Sequence, residues 1–105
     1  MGTKVVEPPI IRMARSPRSF KIAVQNCDGV FAASCPELDI TCFGDRDSSA
    51  VQEVFEAVRT NAKSILIKRQ QEEPLTLPEE KVLAPFAQQI ASSRRIQNWF
   101  EIVRG

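Results

Sequence analysis

Histidine is absent from the 105 residues. That removes the commonest general base and the one side chain that ordinarily titrates near neutrality. Glycine is scarce, with four in all, and no two lie close enough to build a phosphate-cradling loop. Cysteine numbers three, at Cys27, Cys35 and Cys42, with no Cys-x-x-Cys pair. Three thiolates would need a carboxylate or water to complete a zinc site, so the expectation is reduced core thiols in a cytoplasmic protein. No run of about 18 apolar residues could span a membrane, and the N-terminus lacks the apolar segment of a secretory signal. No paired-carboxylate or Ser-x-x-Lys motif stands out. Neither an enzyme nor a bound cofactor is therefore expected. Neither sign of charge dominates: 14 Lys and Arg face 13 Asp and Glu, for a net +1. That gives no global electrostatic case for nucleic acid, and leaves only a local patch open.

What is present suits one small globular domain. Hydrophobic residues make up 43% and charged residues 26%, ordinary for a soluble chain that buries a single core at this length. The organising stretch runs from Ser19 to about Gln70. Phe20 to Asn26 alternates, with Phe20, Ile22 and Val24 to one side and Lys21, Ala23 and Gln25 to the other, which predicts a strand with one buried face. Asp28-Gly29 then signals a two-residue hairpin, because both central positions of its turn need positive φ. That register sets Cys27 opposite Val30, Val24 opposite Ala33 and Ile22 opposite Cys35. Pro36-Glu37 ends the second strand, since proline cannot donate to a central ladder. Leu38 to Phe43 reads as a third strand, with Leu38, Ile40 and Cys42 on one face and Asp39, Thr41 and Phe43 on the other.

Gly44 breaks that strand, and Asp45 or Asp47 can cap a helix. Val51, Val54, Phe55, Val58, Ala62, Ile65 and Leu66 recur at spacings of three and four, a helical stripe that would roof the sheet. Lys68 and Arg69 suit the negative end of that helix. Gln71 to Pro78 is a proline-bounded connector. Pro78-Glu79-Glu80 resembles a helix start, with Val82, Leu83, Phe86 and Ile90 as the apolar side and Pro85 placed to split it. Ser92 to Arg95 ends or interrupts it. Ile96 to Val103 fits either a last strand or a helix packed on the sheet, with Trp99 as an anchor. The fold class predicted is α+β: a three-strand antiparallel meander covered by one long helix, with a further C-terminal helix and strand. Residues 1–18 form an arm, and residues 19–105 one domain.

The order of these pieces resembles the HicB-like antitoxin family. The likeness is carried by Phe20-Lys-Ile-Ala-Val, Asp28-Gly29-Val30-Phe31-Ala32-Ala33, Cys35-Pro36-Glu37-Leu38-Asp39-Ile40 and Gly44-Asp45 leading into the helix. Glu73-Pro74-Leu75-Thr76-Leu77-Pro78 is similar to the family's proline-containing tail. The resemblance covers about residues 19–78 and implies a partial RNase H-like β-β-β-α-β core. It also implies a non-catalytic protein, often dimeric or tetrameric, that occludes a small ribonuclease toxin (HicA-like). Many members add a DNA-binding domain for repressing their own operon. Residues 79–105 are too short for a second core and show no convincing helix-turn-helix or ribbon-helix-helix pattern, which leaves DNA binding without support. The alternative is an orphan domain of the same kind that self-associates in a structural or regulatory role. Asp28, Gly29, Gly44 and Asp45 are expected as structural turn residues. Arg12, Arg15 and Arg18, with Arg94 and Arg95, are the candidates for contact with nucleic acid or an acidic partner. The bland reading of these arginines is a solvated arm and a solvated surface.

Overall fold

The computed structural model describes residues 20–104. Strand β1 is Phe20–Cys27 and strand β2 is Val30–Cys35. Asp28 at φ 55° and Gly29 at φ 87° turn between them, the double positive φ that the Asp-Gly pair suggested. Asn26 Oδ1 accepts from the Gly29 N–H at 3.0 Å. The pairing is antiparallel, with Cys27 opposite Val30 and Val24 opposite Ala33, the register read from the alternation.

The next segment departs from expectation. Pro36–Leu38 is a short 3-10 helix, and β3 begins only at Ile40, running to Gly44. Proline supplies the helical φ at the first position. Asp39, left-handed at φ 54°, then closes the turn with its N–H donated to the Pro36 carbonyl at 3.2 Å. Leu38 is buried as expected, but from a turn rather than a strand. Strand β3 pairs antiparallel with β2, Ala33 facing Cys42 and Phe31 facing Gly44.

Helix α1 spans Asp47–Gln70 and buries Ala50, Val51, Val54, Phe55, Val58, Ala62 and Ile65, while Leu66 packs half-buried beside them. The periodicity therefore marked the correct face. The helix start differs in detail. Neither Asp45 nor Asp47 caps it. Arg46 is the N-cap residue, and Ser49 Oγ accepts from its N–H at 3.2 Å. Asp47 is already helical and pairs instead with Arg104 Nε at 2.8 Å.

Past the connector, proline splits the chain as anticipated. Helix α2 is Pro78–Leu83, a 3-10 turn covers Ala84–Phe86, and helix α3 is Ala87–Ser92. Leu83, Ala87 and Ile90 are buried, whereas Val82 is exposed. Val82, expected on the apolar side, is turned outward because adjacent helical positions lie about 100° apart and α2 gives Leu83 to the core. The two readings of residues 96–103 divide the segment between them: Ile96–Trp99 is a 3-10 turn and Phe100–Arg104 is strand β4. Strand β4 lies parallel to β1, Phe100 beside Phe20 and Ile102 beside Ile22. The sheet order is β3-β2-β1-β4.

The meander, the long helix, the further C-terminal helix and the last strand thus form an α+β fold with helices on one face of a four-stranded sheet. Its core joins Ile22, Val24 and Ala33 of the sheet to Val54, Val58 and Ile65 of α1 and to Leu83 and Ile90 beyond. Phe100 lies 5.8 Å from Phe20 and 5.3 Å from Phe55, ring centre to ring centre. Among the described residues no polar or charged side chain is fully buried, and no helix is long and apolar enough to cross a membrane.

Candidate interaction surface

The sheet brings the expected turn residues to one end. Gly44 faces Phe31, which faces Asn26 just before the hairpin turn. Asp28, Gly29, Gly44 and Asp45 therefore crowd the same rim. Gly44 is required there by close approach: a Cβ would fall 2.8 Å from the Ala50 backbone nitrogen and closer still to Ser49 Oγ. Asp45 Oδ1 accepts from Ser49 Oγ at 3.4 Å. Arg104 closes the same rim through its pair with Asp47, and this contact holds the Asp47 carboxyl below its ordinary value. These residues fix the junction of sheet and helix and present no cavity with an apolar floor.

Arg94 and Arg95 sit apart from that rim. They precede the turn leading to Phe100, which stands beside Phe20 at the start of β1. Both are exposed, and neither side chain forms an ion pair with a described residue. Arg59 Nη2 donates to the Ser93 carbonyl at 3.0 Å and so ties their loop to α1. Trp99 is half-buried against Phe86, ring centres 5.4 Å apart, the anchoring expected of it. Arg12, Arg15 and Arg18 lie outside the described residues.

Two surfaces stand out that the sequence did not single out. One is the sheet face turned away from α1. Register places Thr41, Ser34, Ala23 and Val103 in one row across it and Phe43, Ala32 and Gln25 in the next. Phe43 is 62% exposed and Val103 47%. The centre is small and uncharged, while Lys21 and Glu101 are register partners at one end. The alternation in residues 20–43 already placed Phe43 on this side. What sequence could not show is that no described helix covers it.

The other is a cavity of about 230 Å³ between the Pro36–Asp39 turn, α1 and α2. Buried Leu38, Ile65 and Leu83 form its floor. Exposed Asn61 and Ser64 contribute one wall, and exposed Asp39 and Leu77 with half-buried Glu79 and Glu80 complete the lining. Its supports are fixed. Glu80 Oε1 accepts from the N–H groups of Thr76 and Leu77, each at 3.2 Å, which anchors the start of α2. The other Glu80 oxygen pairs with the Lys68 ammonium of α1. That contact first, and the Leu77 N–H second, hold the Glu80 carboxyl below its ordinary value.

The thiols are spread through the sheet. Cys35 is buried, Cys42 half-buried and Cys27 exposed near the hairpin. Burial pushes the Cys35 thiol up to about 11, with the Glu37 charge adding to it. Burial and then Glu53 raise Cys42 as well. A raised thiol is a poor nucleophile and a poor metal ligand at neutral pH. Among the described residues no group of three or more Cys, Asp or Glu side chains is placed to hold a metal ion.

Comparison with protein-family models and with curated proteins gives no match. Comparison with solved structures gives one that is informative. The chain superposes with a TM-score of 0.66 on a crystal structure from Syntrophomonas wolfei subsp. wolfei, described as the antitoxin part of a proposed toxin/antitoxin system. The match covers 82% of this chain and 63% of that one, at 13% identity. This chain thus spans less than two thirds of the length of the structure it resembles, and at such identity what the two share is the fold.

Proposed function

We propose that the chain is a non-catalytic, HicB-like binding module that neutralises a small ribonuclease toxin by covering it. The observation that carries this reading is the likeness of the fold to an antitoxin structure, at a TM-score of 0.66 over 82% of the chain. The surfaces are consistent with it. A sheet face with exposed Phe43 and Val103 offers apolar surface for a partner to cover. The histidine-free composition supports a binding role in which the catalytic groups belong to the partner. Such a protein would work in the cytoplasm, as a complex and as an oligomer. Residues 78–104 pack into the same core, so the proposal gives them no operator-binding role.

The test is co-expression with a small, basic, histidine-bearing reading frame from beside the gene. The expected result is co-purification at a fixed ratio and relief of the growth arrest that the partner causes alone. Native-host pull-downs that yield only this chain would overturn the reading. In that case the orphan alternative gains weight, because β3 and β4 are the outer strands of the sheet and unpaired edges invite strand addition. A dimer by light scattering, with no neighbouring toxin gene, is the result that alternative requires.

A further inference from the structure

We propose that the cavity between the Pro36–Asp39 turn, α1 and α2 receives one lysine or arginine side chain of a protein partner. The stem would lie on the apolar floor and the cation between Asp39 and Glu79. This inference rests on reading the chain as a protein-binding module.

Size selects the occupant first. At about 230 Å³ the cavity falls below the roughly 300–1,000 Å³ typical of cofactor and small-molecule pockets. It is suited to a single extended side chain. Chemistry selects next. Leu38, Ile65 and Leu83 are each no more than 2% exposed and give an apolar strip, while Asn61 and Ser64 offer side-chain acceptors along one wall. The side chains with an apolar stem and a polar, charged head are lysine and arginine. Charge settles the sign. No cationic residue lines the cavity. Of the three carboxylates that line it, Glu80 is paired with Lys68, which leaves Asp39 and Glu79, neither in an ion pair with a described residue. A carboxylate-bearing anchor would meet two like charges. A wholly apolar one would take water from Asn61 and Ser64 without replacing its hydrogen bonds.

Both carboxylates are held on ordered backbone. Asp39 is fixed by its left-handed φ of 54° and its bond to the Pro36 carbonyl. Glu79 stands in a helix whose first turn is tied by Glu80 to two backbone N–H groups and to α1. Little backbone ordering is left for the bound state, and backbone and side-chain ordering is where binding free energy is commonly lost.

The experiment is a titration of the full chain with N-acetyl-arginine methylamide, followed by amide chemical shifts. The matched neutral probe is N-acetyl-citrulline methylamide. The arginine probe should move the amides of Leu38, Asp39, Ser64 and Leu83 saturably, and the citrulline probe should not. Asp39→Asn and Glu79→Gln should each weaken the effect by about threefold, the order expected for a solvent-facing ion pair. Equal shifts with both probes, or shifts indifferent to both substitutions, would overturn the proposal. So would movement of the same amides, without any probe, on substituting Arg12, Arg15 and Arg18 by Gln, because the chain's own arm would then be the occupant. Once a toxin is captured, unchanged affinity in the Asp39→Asn, Glu79→Gln double variant sinks the cavity assignment alone. A responsive cavity with no toxin captured sinks the antitoxin reading alone.

Discussion

Gly44 shows how one residue can hold two elements together. It ends β3 and lies against the first turn of α1, with Ala50 backbone and Ser49 Oγ inside the space of a Cβ. Gly44→Ala should cost about 1–3 kcal/mol by overpacking. Urea unfolding should show it as a lowered midpoint at unchanged slope. The Asp28-Gly29 turn and this glycine were both legible in the sequence, because each answers to backbone geometry within a few residues. The helix cap was not, since Asp45, Asp47, Ser48 and Ser49 could each have accepted a bond and only the fold decides among them. Glu80 makes a pH prediction. Its folded carboxyl is held below the ordinary value of 4.5 by Lys68 and two N–H groups. The stability this brings is complete above that value, where the unfolded carboxyl is ionised too. It is lost as pH falls through the lower folded value. Glu80→Gln should therefore flatten the acid limb of a plot of denaturation midpoint against pH. An acid limb as steep as the parent's would remove Glu80 from the account.

At the scale of elements, α1 was the most legible because its stripe repeats from Val51 to Leu66, about four turns, and a 3.6-residue period is hard to mimic by chance. Ile65, 1% exposed at its inner face, is the prediction here: Ile65→Ala should cost about 2–5 kcal/mol, read by chemical denaturation. The start of β3 was less legible. Leu38 obeys the strand alternation and is buried, yet it reaches the core from a 3-10 turn, and alternation cannot separate these cases over two residues. Residues 96–104 were ambiguous for the same reason. A four-residue turn followed by a five-residue strand is shorter than either period needs to declare itself. Phe100 tests the element: Phe100→Ala, which removes the ring between Phe20 and Phe55, should lose about 3–5 kcal/mol by the same measurement.

The whole molecule holds what no local pattern could reveal. The cavity draws Asp39, Asn61 and Glu79 from three segments far apart in the chain, so it exists only once they pack. Trp99 is the sole tryptophan and rests on Phe86. Its fluorescence therefore reports whether the C-terminal segment is continuous with the core. Thermal unfolding followed by that fluorescence and by far-ultraviolet circular dichroism should give one coincident transition, as a single cooperative domain requires. Separated midpoints would show a detachable C-terminal unit. The parallel pairing of β4 with β1 has one more consequence, for synthesis. The strand made earliest among those described waits for the one made last, so a nascent chain carries Phe20 and Ile22 without their β4 partners until residues 100–104 have been made. Until then the growing polypeptide offers chaperones an unfinished sheet edge.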